Sequence, residues 1–121
     1  MKLKVATDIS KINKKKWPDF VYRHPNGNIY QTPEMYEVYK NTKNYEPIFL
    51  AVVNEDNEIS GTLLAVIQRE YKGPIGNLTA RSIIWGGPLV KNGDAQVLDL
   101  ILSEYDKIAR TRAIYSQFRN L

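Results

Sequence analysis

Pro47-Ile48-Phe49-Leu50-Ala51-Val52-Val53, then Asn54-Glu55-Asp56-Asn57, then the long run from Ile59 to Tyr71, is the stretch on which the fold turns. Both apolar runs are rich in β-formers and the polar residues between them are turn formers, so the spacing predicts an antiparallel hairpin. Residues 48–53 are apolar without alternation. A strand of that kind is covered on both faces, which requires helices above and below the sheet.

Toward the N-terminus, Leu3 and Val5 alternate with lysines as a short strand. Asp8 or Ser10 can cap a helix, and Ile9, Ile12, Lys16, Phe20 and Val21 form an irregular stripe through about residue 23. Pro18 must open a new turn or kink this segment, so two short helical pieces are expected. His24-Pro25-Asn26-Gly27-Asn28 reads as a turn, with His24 a solvated residue at a helix end. Ile29-Tyr30-Gln31 reads as a short extended stretch. Thr32-Pro33-Glu34 then supplies a cap, a proline at the first helical position and an acid in the first turn. The helix they start carries Met35, Tyr36, Val38 and Tyr39 and ends near Asn41-Thr42.

Toward the C-terminus, Lys72-Gly73-Pro74-Ile75-Gly76-Asn77 is a loop and Ser82-Ile83-Ile84-Trp85 a third strand. Gly86-Gly87-Pro88 either ends that strand or bulges it where a ligand approaches the backbone. Asp94 is an N-cap, and Val97, Leu98, Ile101, Leu102, Tyr105, Ile108 and Ala109 recur at helical spacing to about Thr111. Ala113 to Phe118 alternates like a further strand, which a crossover helix would place parallel to its neighbour. The order β, α, α, β, β, β, α, β describes an α/β fold, a mixed sheet flanked by helices. Residues 1–121 make one domain. No turn or polar tail follows the last strand, so the chain is expected to be an incomplete fragment, the N-terminal part of a larger protein, and when isolated either to pair as a homodimer or to be only marginally stable.

Composition narrows the chemistry. With no cysteine and a single histidine, neither a thiolate nor a histidine metal site can be assembled, and a Ser-His-Asp triad would have to use His24. No metal and no bound cofactor is expected. No apolar run is long enough for a signal peptide or a membrane span, which points to a cytoplasmic protein. The net charge of +4 includes Lys11, Lys14, Lys15 and Lys16, which on a helix would spread over more than half the circumference as a solvated face.

This order of elements is that of the GNAT acyltransferase fold. Trp17 with Phe20-Val21, then His24-Pro25-Asn26-Gly27, then Ile29-Tyr30-Gln31 before a helix with Tyr36, resembles the N-terminal domain of the Fem (FemAB-like) aminoacyltransferases, which carry two such domains in tandem. Ile84-Trp85-Gly86-Gly87-Pro88-Leu89-Val90 before a helix is similar to that family's Arg-Gly-Pro-Val segment. The likeness covers most of residues 17–118. It departs at Gly86, where the family often has Arg, and at Tyr36, where it usually has Trp.

The resemblance implies transfer of an amino acid from aminoacyl-tRNA to an amine acceptor such as a peptidoglycan precursor peptide, with a second GNAT-like domain of the same protein completing the cleft. It implies a substrate-binding role for Lys40, four residues after Tyr36, as a point charge for a sugar-nucleotide phosphate, and places Tyr36, Trp85, Gly86 and Gly87 at the same substrate. Catalytic residues stay unassigned, since Glu34, Glu37, Glu104 and Asp106 all sit where a solvated helix face would put them. GNAT enzymes that use acetyl-CoA hold its pyrophosphate with a Gln/Arg-x-x-Gly-x-Gly/Ala loop. The equivalent Val90-Lys91-Asn92-Gly93-Asp94-Ala95 has no polar first residue and puts a carboxylate at the anion position. Two other readings stay open: a basic module binding tRNA or another polyanion, and a degenerate domain that only supports its partner.

Overall fold

The computed structural model describes residues 2–69, 80–113 and 115–119. Strand β1 (Lys4–Ala6) leads through a 3-10 turn at Ile9–Lys11 to helix α1 (Lys16–Arg23). A second 3-10 turn at Ile29–Gln31 precedes α2 (Pro33–Lys40). The hairpin of β2 (Tyr45–Val53) and β3 (Ile59–Gln68) follows, then β4 (Arg81–Trp85), β5 (Leu89–Val90), α3 (Ala95–Arg112) and β6 (Tyr115–Arg119).

The sheet runs β1-β2-β3-β4-β6, with β5 also paired to β3. β1, β2, β3 and β4 pair antiparallel in turn, and β6 lies parallel to β4, in register from Arg81 with Tyr115 to Trp85 with Arg119. The hairpin and the parallel return after α3 are those the sequence predicts. The loop read at 72–77 and the end of the long strand at Tyr71 lie outside the described residues.

Every residue of β2 from Ile48 to Val53 is buried. Phe49, Ala51 and Val53 pack with Leu64, Val66, Trp17, Val21 and Tyr39 on the side of α1 and α2. Ile48, Leu50 and Val52 pack with Leu63, Ala65, Ile67 and the Val97, Ile101 and Tyr105 stripe of α3 on the other. Successive side chains alternate between two cores, which is why the run has no polar residues.

Three local readings change. The stretch Ile29–Gln31 curls as a 3-10 turn because the Asn28 side-chain oxygen accepts from the Tyr30 N–H at 3.0 Å, a local bond that competes with extension. The lysine run is not one helix face: Lys11 closes the first 3-10 turn, Lys14 and Lys15 lie in a turn, and Lys16 opens α1. The break comes before Pro18, at Asn13, whose side chain accepts from the N–H groups of Lys15 and Lys16. Pro18 itself sits in the first turn of α1, where no intrahelical N–H bond is lost. The third change concerns His24, which is half-buried and bonded across to β5.

Candidate functional site

The site is built on a gap in the sheet. β3 pairs with β4 at Val66–Ile83, Ile67–Ser82 and Gln68–Arg81, and with β5 at Thr62–Leu89 and Gly61–Val90. Between these pairings, Ile84 to Pro88 must pass opposite only Leu63 to Ala65, so the strand interrupts and resumes rather than ending at Gly86-Gly87-Pro88.

Gln31 fills the gap. Its side-chain oxygen accepts from the Leu64 N–H at 2.8 Å, and its nitrogen donates to the Leu64 carbonyl at 3.0 Å and to the Trp85 carbonyl at 2.6 Å. One glutamine amide thus replaces the ladder bonds that the interrupted strand cannot make to Leu64, and Gln31 is fully buried in doing so. Its backbone carbonyl accepts from the Trp17 indole N–H at 2.9 Å.

The glycines follow from this arrangement. A Cβ on Gly87 would lie 2.6 Å from the Gln31 side-chain amide carbon. Gly86 has φ of +65°, its carbonyl accepts from the Asn28 side-chain nitrogen at 2.7 Å, and a Cβ there would lie 2.6 Å from that side chain. The Gly86 N–H donates to the Arg119 carbonyl at 3.0 Å. The β4–β6 pairing thus extends to Trp85 and Gly86, and past this bond the chain turns to β5. The half-buried Trp85 stacks on Tyr30, ring centres 5.7 Å apart and 28° between planes, and the Arg119 guanidinium lies 4.7 Å from the Trp85 ring centre.

His24 pins the turn from the other side. One ring nitrogen, Nδ1, accepts from the Asn26 N–H at 3.0 Å, so the other must carry the hydrogen that bonds the Val90 carbonyl at 2.8 Å. This fixes the neutral Nε2–H tautomer.

Of the residues expected from sequence, Trp85, Gly86 and Gly87 are therefore brought together around the Gln31 and Asn28 side chains. Tyr36 meets Trp17 edge-on at 6.1 Å, and Trp17 in turn stacks on Phe49 at 3.8 Å, so Tyr36 is linked to Gln31 through the Trp17–Gln31 bond. Burial, helped by Glu37 and Asp8, holds the Tyr36 phenol above its ordinary range. Lys40 lies exposed in the last turn of α2, without an ion pair among the described residues. Gln31, Asn28, Tyr30 and Arg119 were not assigned a role from sequence. A buried glutamine and a pair of glycines far apart in the chain give no periodic signal, and only the pairing gap joins them.

The start of α3 is where acetyl-CoA-dependent members of the fold hold pyrophosphate. Here the Asp94 carboxylate accepts from the N–H groups of Gln96 at 2.9 Å and Val97 at 3.3 Å. Two of the N–H groups at the helix start are thus taken, by a group of the same charge sign as phosphate. A carboxylate at this position fits a pyrophosphate poorly. Among the described residues no cluster of three or more His, Asp or Glu could hold a metal ion, and no helix is long and apolar enough to cross a membrane.

The architecture is that of the GNAT fold. Among solved structures the chain is similar to an acetyltransferase from Trypanosoma brucei, with a TM-score of 0.67 and 11% identity over 98% of this chain and 82% of that one. A second is an aminoglycoside 6'-N-acetyltransferase from Acinetobacter baumannii, with a TM-score of 0.62 and 12% identity over 98% and 79% of the two chains. A third, a GNAT family acetyltransferase from Staphylococcus aureus, gives 0.60 and 12% over 98% and 87%. At these identities the likeness is one of fold. No protein-family model matches the sequence, and no curated protein matches it.

Proposed function

We propose that the chain is the N-terminal GNAT-like domain of a Fem-type aminoacyltransferase, working with a second such domain of the same protein and inactive alone. The reaction would pass an aminoacyl group from tRNA to the amine of an acceptor such as a peptidoglycan precursor peptide, in the cytoplasm. The observation that carries the reading is the Asp94 cap: an acyltransferase fold whose pyrophosphate position is closed by its own carboxylate calls for a donor other than acetyl-CoA. The order of Trp17, the Gly27 turn, Gln31 and the Tyr36 helix before the Trp85-Gly86-Gly87-Pro88 segment supports the Fem class.

In this reading the surface at Trp85–Gly87 receives the acceptor, with Tyr30 and Trp85 as a stacking surface and Arg119 as a cation beside it. Tyr36 stands behind it through Trp17, and Lys40 meets a phosphate of the acceptor at the rim of α2. These groups bind and orient, and the base that receives the amine proton belongs to the completing domain.

The test is transfer of a labelled amino acid from aminoacyl-tRNA to a peptidoglycan precursor peptide by the chain joined to its second domain. Transfer by the joined protein, none by residues 1–121 alone, and acceptor binding weakened about tenfold by Lys40→Gln are expected. Acetyl transfer from acetyl-CoA by the isolated chain would overturn the reading.

A further inference from the structure

Two Asn-Gly pairs stand in this chain, Asn26-Gly27 ahead of the Gln31 turn and Asn92-Gly93 ahead of α3, and all four residues are exposed. In such a pair the glycine nitrogen can attack the asparagine side-chain carbonyl, because no side chain on the second residue shields it. Access to water is alike at both pairs, so what separates them is how firmly each peptide unit is held. The Asn26–Gly27 unit is held at both ends: its N–H donates to the His24 carbonyl at 2.9 Å, and its carbonyl accepts from the Asn28 side-chain nitrogen at 3.0 Å. The Asn26 N–H is bound as well, to His24 Nδ1 at 3.0 Å. A Cβ on Gly27 would collide with the Val21 carbonyl oxygen, so this backbone is seated against the end of α1.

The Asn92–Gly93 unit has little of this. Asn92, at φ 54° and ψ 23°, and Gly93, at φ 64°, are successive left-handed residues, and a Cβ on Gly93 would meet nothing within 4 Å. Neither the side chain nor the carbonyl of Asn92 has a hydrogen-bond partner among the described residues. The partner that the 3-10 turn at Lys91–Gly93 offers to the Gly93 N–H is the Val90 carbonyl, which the His24 ring already engages at 2.8 Å. Attack requires the peptide unit to rotate about the asparagine Cα–C bond until the glycine nitrogen faces the side-chain carbonyl. At Asn26 that rotation breaks the bonds at both ends of the unit. At Asn92 it strains one neighbouring bond, from the Asp94 N–H to the Lys91 carbonyl at 3.1 Å.

We propose that Asn92 is a site of deamidation through a cyclic imide with Gly93, and that the fold protects Asn26 from the same reaction. The Gly93 nitrogen gives its proton to base and bonds to Asn92 Cγ; the Cγ–Nδ2 bond breaks, and Nδ2 takes up a proton and leaves as ammonia. Water then opens the ring, at the side-chain carbonyl to give aspartate or at the main-chain carbonyl to give isoaspartate. Either product places a new carboxylate two residues before the Asp94 cap, so negative charge accumulates ahead of α3. Isoaspartate also lengthens the backbone entering the helix by one carbon, which displaces Asp94 from the Gln96 and Val97 N–H groups. The modification is separate from the acyl-transfer reading and does not depend on it.

The test incubates the whole chain at mildly alkaline pH, once folded and once in urea. Trypsin then releases Asn92–Lys107 and His24–Lys40, in which mass spectrometry with fragmentation locates the exchange of amide for acid. In the folded chain Asn92 should convert faster than Asn26 by on the order of tenfold or more, two held bonds making the difference. In urea the two rates should come together. Gly93→Ala should suppress conversion at Asn92 and leave Asn26 unchanged. Equal rates at the two sites in the folded chain, conversion of Asn92 in urea alone, or a difference that persists in urea would overturn the proposal.

Discussion

Gln31 and Leu64 are joined by two hydrogen bonds between a side-chain amide and a backbone, 2.8 Å and 3.0 Å, in a fully buried setting where a neighbouring strand would otherwise stand. Gln31→Leu leaves the Leu64 N–H and the Leu64 and Trp85 carbonyls without these partners, so a loss of about 3 kcal/mol or more of folding stability is expected in denaturant titration. The Leu64 amide should lose hydrogen-exchange protection before its neighbours. Gly87→Ala should cost about 1–3 kcal/mol by crowding that amide, and the cost should shrink in a Gln31→Ala background. Independent, additive effects would show that the two residues do not share the gap.

Thr62 is fully buried and its hydroxyl has no hydrogen-bond partner among the described residues. Thr62→Val keeps the shape and removes the unpaired group, so thermal unfolding should shift upward by the equivalent of about 1 kcal/mol. A downward shift would mean that the hydroxyl is paired in solution.

Tyr39 is pushed up to about 12 by burial first, then by Tyr30 and Tyr45, from an ordinary value of 10.0. The folded state therefore holds the phenol neutral where the unfolded chain ionises it. Stability from this residue is complete below pH 10 and is lost as pH rises toward 12. Tyr39→Phe should flatten that part of the stability profile, measured by denaturation at a series of pH values.

Strand β6 is the last strand of the described sheet, and Phe118 on it is 50% exposed although it meets Tyr105 edge-on. An uncovered edge of this kind pairs readily with another strand. Residues 1–121 are expected to sediment as a concentration-dependent dimer, and Phe118→Lys to shift them to monomer. A wild-type monomer over a wide concentration range would contradict this.

Much of the fold was legible because its signals are local. The hairpin around Asn54–Asn57, the Thr32-Pro33 helix start and the Asp94 cap each rest on neighbours in sequence, and each is found in the structure. The candidate site was legible only in part. Trp85, Gly86 and Gly87 were marked by a glycine pair inside a strand, but Gln31 and Asn28 act on residues more than 50 positions away. Ile29–Gln31 looked extended because its composition favours strands, while the Asn28 side chain decides its path. His24 reads as solvated in the sequence because nothing near it in the chain announces its bond to Val90.

Asp94 caps the start of α3 with a carboxylate where acetyl-CoA would need an anion site. Calorimetric titration of the chain with acetyl-CoA, in wild type and in Asp94→Gly, tests it directly. No measurable binding at physiological concentration is expected in the wild type, because the Gln96 and Val97 N–H groups are held by Asp94, and weak binding is expected once that carboxylate is removed. A dissociation constant in the low micromolar range for the wild-type chain would contradict it.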